Sequence, residues 1–196
     1  MKIRIEEYNP EWPQLYNTLA EKLSHVLSGY AVAVEHIGST SIPGLAAKPI
    51  IDIAVGVRGE ENFDKTIEPM LAHQFIYYEA FNALIPDRRL FVGLKDDCDP
   101  TQFEPVYSKA ETIPHEAINH HRLCHVHVVE FGGIHWLRQL AFRDYLREHP
   151  ADQHAYAQLK KELSHLSWQD GMAYNAAKEG LLHQIERKAL LWYKRN

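Results

Sequence analysis

The spacing of apolar residues predicts a helix near the start of the chain and strands after it. Between residues 11 and 28 the apolar side chains recur every three or four positions, as they do along one face of a helix. Residues 30–37 and 49–57 are rich in β-branched side chains, and the second segment is apolar enough for a strand buried on both faces. The pattern then predicts a second long helix over residues 60–73.

Shorter patterns fill the middle of the chain. Strands are predicted over residues 75–79, 89–94 and 122–130, with a further strand over 103–107 despite two nearby prolines. From residue 134 onwards the periodicity is helical, in segments 134–148, 151–166 and 171–192. This order predicts a single α+β domain over residues 1–196, with a mixed β-sheet, flanking helices and a helical C-terminal part.

The bulk composition narrows the class of protein. Of the 196 residues, 45% are hydrophobic and 24% are charged, as in globular proteins. The net charge of -5 argues against the basic face that non-specific nucleic-acid binding requires. The charged N-terminal segment lacks the apolar core of a signal peptide, and no apolar run reaches the length of a membrane span. We therefore expect a cytoplasmic protein with free thiols and no membrane partner; the oligomeric state is open.

The segment 38–44, GSTSIPG, is the first candidate for chemistry. Glycines let backbone N–H groups converge, and Ser39, Thr40 and Ser41 add hydroxyl donors, so the loop suits a phosphate. A helical turn over residues 43–47 would add a favourable dipole. The alternative is a tight turn without a ligand, since the spacing is not that of a P-loop.

Asp52 follows the loop inside an otherwise apolar strand. An ionised carboxylate there is costly unless it is paired or bound to a metal. It either holds Mg²⁺ or another divalent metal against phosphate oxygens, or makes structural hydrogen bonds. Lys48, between loop and strand, is a candidate for neutralising phosphate charge.

The stretch over residues 35–53, EHIGSTSIPGLAAKPIIDI, closely resembles the signature of the GrpB family of bacterial proteins. Matching pieces recur over nearly the whole chain: IPDRRLF at 85–91, HVHVV at 125–129, LAFRDYLR at 140–147, YAQLK at 156–160 and YNAAK at 174–178. GrpB proteins look like members of the nucleotidyltransferase fold superfamily. The resemblance implies a glycine–serine loop at Gly38 and Ser39 that binds nucleotide phosphates, and a metal-binding carboxylate at Asp52.

The sequence departs from the superfamily pattern at the carboxylates. The superfamily places two acids two residues apart on one strand, so that both face the same side. Here Ile50 and Ala54 stand two residues either side of Asp52. The third acidic position of the superfamily falls near the strand that carries His125 and His127.

Histidines and arginines complete the set of candidates. His125 and His127 share one face of a predicted strand, which suits a metal, with His127 also a candidate acid or base alongside Asp52; the alternative is hydrogen bonds across the sheet. His36 would approach the same centre. Arg88 and Arg89 are candidates for binding the nucleotide phosphates, although alternation lets only one of them face a given side.

The C-terminal helices carry basic residues whose role the sequence leaves open. Arg143 and Arg147 share one helical face, and Lys160 and Lys178 follow on later helices. They form either a solvated surface or a basic wall over the nucleotide site.

Three hypotheses follow. The first is a nucleotidyltransferase-like enzyme that binds a nucleotide with a divalent metal. The second is a non-catalytic module of the same fold, whose partner is a nucleotide or another phosphorylated small molecule. The third is a histidine–metal hydrolase that uses His36, His125 and His127.

Overall fold

A computed structural model describes residues 2–169 and 171–195 and contains a five-stranded sheet. The strands are β1 (Ala31–Ile37), β2 (Ile51–Val57), β3 (Ile76–Tyr77), β4 (Arg88–Leu94) and β5 (Arg122–Glu130). They lie in the order β1-β2-β5-β4-β3. The β2–β5 pair is parallel and the other pairs are antiparallel, so the sheet is mixed.

The helices agree with most of the predicted ones. They are α1 (Trp12–Val26), α2 (Ile67–Ala72), α3 (His115–His121), α4 (Ile134–Glu148), α5 (Pro150–Ser164) and α6 (Gly171–Tyr193). The α+β class with a helical C-terminal part is thereby confirmed. None of the helices in the described part of the chain is both long and apolar enough to cross a membrane.

One face of the sheet packs on the N-terminal helices. Alternate residues of β2 and β5 point to this side, and Leu19, Leu23 and Met70 of α1 and α2 pack against them. Burial of such side chains supplies most of the driving force for folding, at about 25 cal/mol per Å² of apolar surface.

The opposite face carries two separate apolar clusters. On the β1–β2 side, Trp136 and Leu140 of α4 pack on Ile37 and Ala54. On the β3–β4 side, an aromatic and aliphatic cluster covers Val92; it comprises Ile76, Tyr78, Tyr107, Ile113 and Ile118. Asp52 of β2 and His125 and His127 of β5 lie on this same face.

The predicted helix over residues 60–73 is wrong in its length. The structure has two short 3₁₀ turns, Glu60–Asn62 and Asp64–Thr66, followed by the six-residue α2. Pro69 explains the break, because its ring clashes with the carbonyl four residues earlier and is tolerated only in the first turn of a helix.

Two further local predictions are also wrong. Residues 103–107 form no strand; Val106 makes one isolated bridge to Tyr77, and the Pro105 nitrogen has no hydrogen to donate to a ladder. The helical turn lies over Ser39–Ser41, inside the glycine–serine loop and not after Pro43.

Candidate functional site

The parallel register of β2 and β5 brings three predicted residues together. Asp52 lies opposite His125, and Ala54 lies opposite His127. The Asp52 Oδ1 atom is 2.9 Å from His125 Nδ1 and 4.0 Å from His127 Nε2. One ligand atom from each residue lies within 4.8 Å of the others, which is compact enough for a metal ion. The side chains remain 16–31% exposed, so a ligand can reach them.

Their surroundings keep Asp52 ionised and His125 neutral. Burial alone would raise the pKa of Asp52, but the hydrogen bond from His125 and the nearby ring of His127 hold it below its usual value. Burial lowers the pKa of His125 to about 4, against the opposing effect of Asp52. Neutral imidazole and ionised carboxylate are the forms that coordinate metals.

His127 has a spare nitrogen. Its Nδ1 atom is buried and has no hydrogen-bond partner among the described residues. A buried polar atom without a hydrogen-bond partner lowers the free energy of unfolding, so such atoms are uncommon in native proteins. The donor set of two imidazoles and one carboxylate fits a divalent transition metal.

Gly38 holds the loop against this cluster. Its φ of 69° lies in the left-handed region that glycine tolerates best. A Cβ atom added at this position would lie 2.4 Å from Asp52 Oδ2. The loop therefore approaches the carboxylate more closely than any other residue type would allow.

The hydroxyls of the loop have different roles. Thr40 and Ser41 are buried, and their side chains donate to the carbonyls of Ile50 and Gly38 within the local structure. Ser39 is different, because its Oγ accepts a hydrogen bond of 3.0 Å from Lys160 Nζ of α5. Of the predicted phosphate-binding hydroxyls, Ser39 is the one directly bonded to a cation.

Three lysines from separate parts of the chain converge next to the loop. Lys48 and Lys178 lie over the ring of Tyr174, at 4.4 Å and 4.6 Å from its centre. Burial, then the neighbouring cations, lower the pKa of Lys48 and of Lys178 to about 8, and that of Lys160 to about 7. None of the three forms an ion pair with a carboxylate in the described ranges.

The arginines of α4 support the loop from outside. Arg143 donates to Glu35 at 2.7 Å and to the His36 carbonyl at 3.0 Å. Arg147 donates twice to the Ser41 carbonyl, at 2.7 Å and 3.2 Å. Both side chains therefore bond the backbone beside Gly38, and Arg143 is only 12% exposed, so it does not belong to a solvated surface. The sequence signal for this role was their four-residue spacing on one helical face.

The remaining predicted residues lie apart from the cluster. Arg89 is on the opposite face of the sheet, where it pairs with Asp64 at 2.7 Å. Arg88 lies on the same face of the sheet as His125 and His127, but the negative charge that acts on it is that of the adjacent Asp87. His36 stacks on Tyr16 and bonds Thr40 at 3.0 Å, so it stabilises the loop from the other side.

The comparisons with known proteins agree with this architecture. A family model described as "GrpB protein" matches residues 2–188. The chain belongs to the GrpB family. Among similar proteins, this GrpB-family chain is 33% identical to a UPF0157 protein of Halalkalibacterium halodurans, over 95% of the chain and 82% of that relative. The crystal structure of GrpB from Enterococcus faecalis aligns with a TM-score of 0.75 at 31% identity, covering 97% of this chain and 99% of that one.

Some relatives of this GrpB-family chain are longer. The chain is 29% identical to a protein named dephospho-CoA kinase from Mycolicibacterium paratuberculosis, over 97% of the chain but 46% of that protein. The UPF0157 protein YqkA of Bacillus subtilis is likewise matched over 49% of its length. The chain thus spans about half the length of these two relatives.

Proposed function

We propose that this GrpB-family protein binds a nucleoside triphosphate through its phosphates together with a divalent metal, and transfers the nucleotidyl group to a nucleophilic acceptor. The acceptor would form a bond to the α-phosphorus, lose its proton to solvent and displace pyrophosphate as the α–β phosphoanhydride bond breaks. The observation that carries the proposal is the position of Lys48, Lys160 and Lys178 beside Asp52, His125 and His127, with none of the three lysines paired to a carboxylate among the described residues. Such positive charge, largely removed from water next to candidate metal ligands, is complementary to a polyanion.

The carboxylate and imidazole groups would bind the metal, and the lysines would bind phosphate. Asp52, His125 and His127 would hold the metal, which when bound would neutralise and polarise phosphoryl oxygens. Lys48, Lys160 and Lys178 would bind the remaining phosphate charge, with the backbone of Gly38 and Ser39 beside them.

The ligand types favour particular metals. Mg²⁺ binds oxygen ligands almost entirely and keeps several waters, whereas imidazole nitrogens suit Zn²⁺ or Fe²⁺, and Mn²⁺ is the weakest binder among the first-row divalent metals. We therefore expect Zn²⁺ to bind more tightly than Mn²⁺ or Mg²⁺.

A non-catalytic module is the second candidate function. Ala54 stands where the superfamily pattern expects another carboxylate, and Glu35, the nearest acid on β1, is engaged by Arg143. With one carboxylate the site has few ligands for a two-metal transfer mechanism. This candidate predicts nucleotide binding without turnover.

The kinase name of the Mycolicibacterium relative supports a nucleotide-containing ligand and no more. The matched segment is less than half of the Mycolicibacterium protein, and the chain contains no GxxxxGK[ST] phosphate loop of the kind many kinases use.

The test is thermal unfolding with each common nucleoside triphosphate in the presence of Mn²⁺, Zn²⁺ or Mg²⁺. At a ligand concentration of about 100 times Kd, the expected stabilisation is about 2.7 kcal/mol, or several degrees in Tm. Asp52→Asn should abolish the shift. The matched control is Asp64→Asn, which removes an aspartate on the opposite face and should retain it.

Detection of a reaction product distinguishes the two candidate functions. A labelled nucleotidyl group transferred to any acceptor in a metal-dependent and Asp52-dependent way would identify an enzyme. Binding with no product would favour the module, and the absence of any thermal shift in wild-type protein would refute both.

A further inference from the structure

Arg122 lies on the site face because β5 contains a bulge. Along most of β5, Cys124, Val126 and Val128 point to the α1 side, so strict alternation would direct Arg122 there as well. The register with β4 shifts instead: Gly93 lies opposite Cys124, but Leu94 lies opposite Arg122. Leu123 is therefore an extra residue, and the bulge turns Arg122 towards the face of His125.

The contacts of Arg122 confirm this orientation. Its Nη2 atom donates to the hydroxyl of Tyr78 at 3.3 Å, and Tyr78 belongs to the cluster on the β3–β4 side of the site face. Bulges are common next to active sites, where they re-aim one side chain.

The guanidinium of Arg122 is poorly satisfied. Its Nε atom is buried and has no hydrogen-bond partner among the described residues. Across residues 2–169 and 171–195, no carboxylate forms an ion pair with it. An arginine presents five donors in a planar fork that matches an oxyanion, and here most of that capacity is unused.

The charge of Arg122 acts on the candidate site. After burial, Arg122 is the next cause that lowers the pKa of Lys48 to about 8. It also contributes, with burial as the larger cause, to the lowered pKa of His125. The charge of Arg122 is thus close enough to influence the candidate metal ligands. Arg122 lies towards β4, however, and not towards the C-terminal helices that carry Lys160 and Lys178.

We propose that Arg122 binds an oxyanion, a carboxylate or a phosphate, on the acceptor molecule that receives the nucleotidyl group. The identification of the ligand as an acceptor rests on the proposed function, but anion binding at Arg122 can be measured without a nucleotide. Tyr78 forms one wall of this subsite, and the unpaired Nε of Arg122 donates to the anion.

The experiment is an NMR titration of the full ¹⁵N-labelled chain with two probes, inorganic phosphate and acetate, at constant ionic strength. The Nε–Hε resonance of Arg122, assigned by its loss in Arg122→Lys, should shift saturably with at least one probe. A shift with acetate or with phosphate identifies which oxyanion is preferred. Affinity for that probe, followed in both proteins by the backbone amide resonances of residues 121–123, should fall roughly tenfold or more in Arg122→Lys, because lysine keeps the charge but loses the fork.

Two further variants separate the sites. In Lys160→Met the Arg122 resonance should still respond, although any phosphate bound at the lysines is weakened. Lys95→Gln, which removes an exposed cation next in sequence to Leu94, should leave the titration unchanged. A resonance that no probe moves, or probe affinity retained in Arg122→Lys, would overturn the inference.

Failure of this inference is distinguishable from failure of the proposed function. Nucleotide-dependent thermal shifts in Arg122→Lys should equal those of wild type, since Arg122 serves the second ligand. If nucleotides stabilise the wild type but no anion reaches Arg122, only the subsite is refuted. If anions reach Arg122 but no nucleotide binds, the anion site is upheld and the nucleotide proposal is refuted.

Discussion

At Gly38 the backbone conformation and a neighbouring carboxylate both exclude a side chain. The φ of 69° would strain any other residue, and the space for a Cβ is already taken by the Asp52 carboxylate. Gly44 offers a comparison, since its φ is 78° but no described residue apart from its two chain neighbours lies within 4 Å of its Cβ position. Substitutions at the two glycines therefore distinguish the cost of backbone strain from the cost of steric contact with Asp52.

Gly38→Ala should therefore cost more than Gly44→Ala. A positive φ costs an alanine about 1–2 kcal/mol, and only at position 38 is a clash with Asp52 added. Urea denaturation measures both changes, and calorimetry measures Mn²⁺ or Zn²⁺ binding. We expect metal affinity to fall in Gly38→Ala alone; equal effects of the two substitutions would contradict this role for Gly38.

Lys160 is a buried cation that has no anionic partner within residues 2–169 and 171–195. Its folded pKa of about 7 lies below the ordinary value of 10.5, so between these values the unfolded chain binds more protons than the native protein. Stability without ligand should therefore rise as pH increases from about 7 towards 10.5, by up to about 1.4 kcal/mol per pH unit for one proton.

Lys160→Met should raise the Tm of the ligand-free protein at pH 7 and flatten this part of the pH profile. The same substitution should weaken nucleotide binding, because it removes a phosphate ligand. Melting curves across the pH range, with and without nucleotide, measure both effects. A variant that is less stable than wild type and binds nucleotide normally would show that Lys160 is purely structural.

At the scale of elements, α4 fixes the position of the glycine–serine loop. Arg143 and Arg147 donate to backbone carbonyls on both sides of Gly38. Such charge-assisted hydrogen bonds contribute about 1.5–3 kcal/mol each. The helix thereby holds the loop at Asp52.

Arg143→Lys should lower the free energy of unfolding by about 2 kcal/mol and weaken nucleotide binding, since lysine cannot reach Glu35 and the His36 carbonyl together. Arg138→Lys is the control on the same helix, where a more exposed pair with Glu186 contributes about 0.5 kcal/mol or less. Denaturation and calorimetry compare the two. Unchanged nucleotide affinity in Arg143→Lys would mean that the loop keeps its position without this contact.

At the scale of the whole molecule, the candidate site joins two parts of the fold. The metal-type residues belong to the sheet, whereas Lys160 and Lys178 belong to the C-terminal helices. A metal ion alone engages one part, but a nucleotide with metal would bridge both.

Hydrogen exchange should therefore respond in two stages. Addition of Zn²⁺ should slow amide exchange in β2 and β5, and further addition of nucleotide should also slow it in α5 and α6, because binding protects the segments it links. Mass spectrometry of peptides locates the protection. If metal alone protected α5 and α6 as much as metal with nucleotide does, the proposal that the metal engages only the sheet would be wrong.

The sequence by itself determined the class of fold and the boundaries of its strongest elements. The strand Arg122–Glu130 and the helix Ile134–Glu148 were predicted with their observed limits, because hydrophobic periodicity reports the burial of each segment's own face. The pairing of two histidines on one side of a strand followed from the same rule. Residues 60–73 failed because apolar spacing does not register the steric effect of Pro69.

Only the tertiary structure decided which charged residues meet. Lys48, Lys160 and Lys178 converge through the packing of helices on the sheet, and alternation could not say which of Arg88 and Arg89 lies on the same face of the sheet as Asp52. The bulge at Leu123 reversed the direction of Arg122 against the alternation of its own strand. These are contacts between residues distant in sequence, and the physical reason is that local periodicity specifies a segment's faces but not what another segment brings to them.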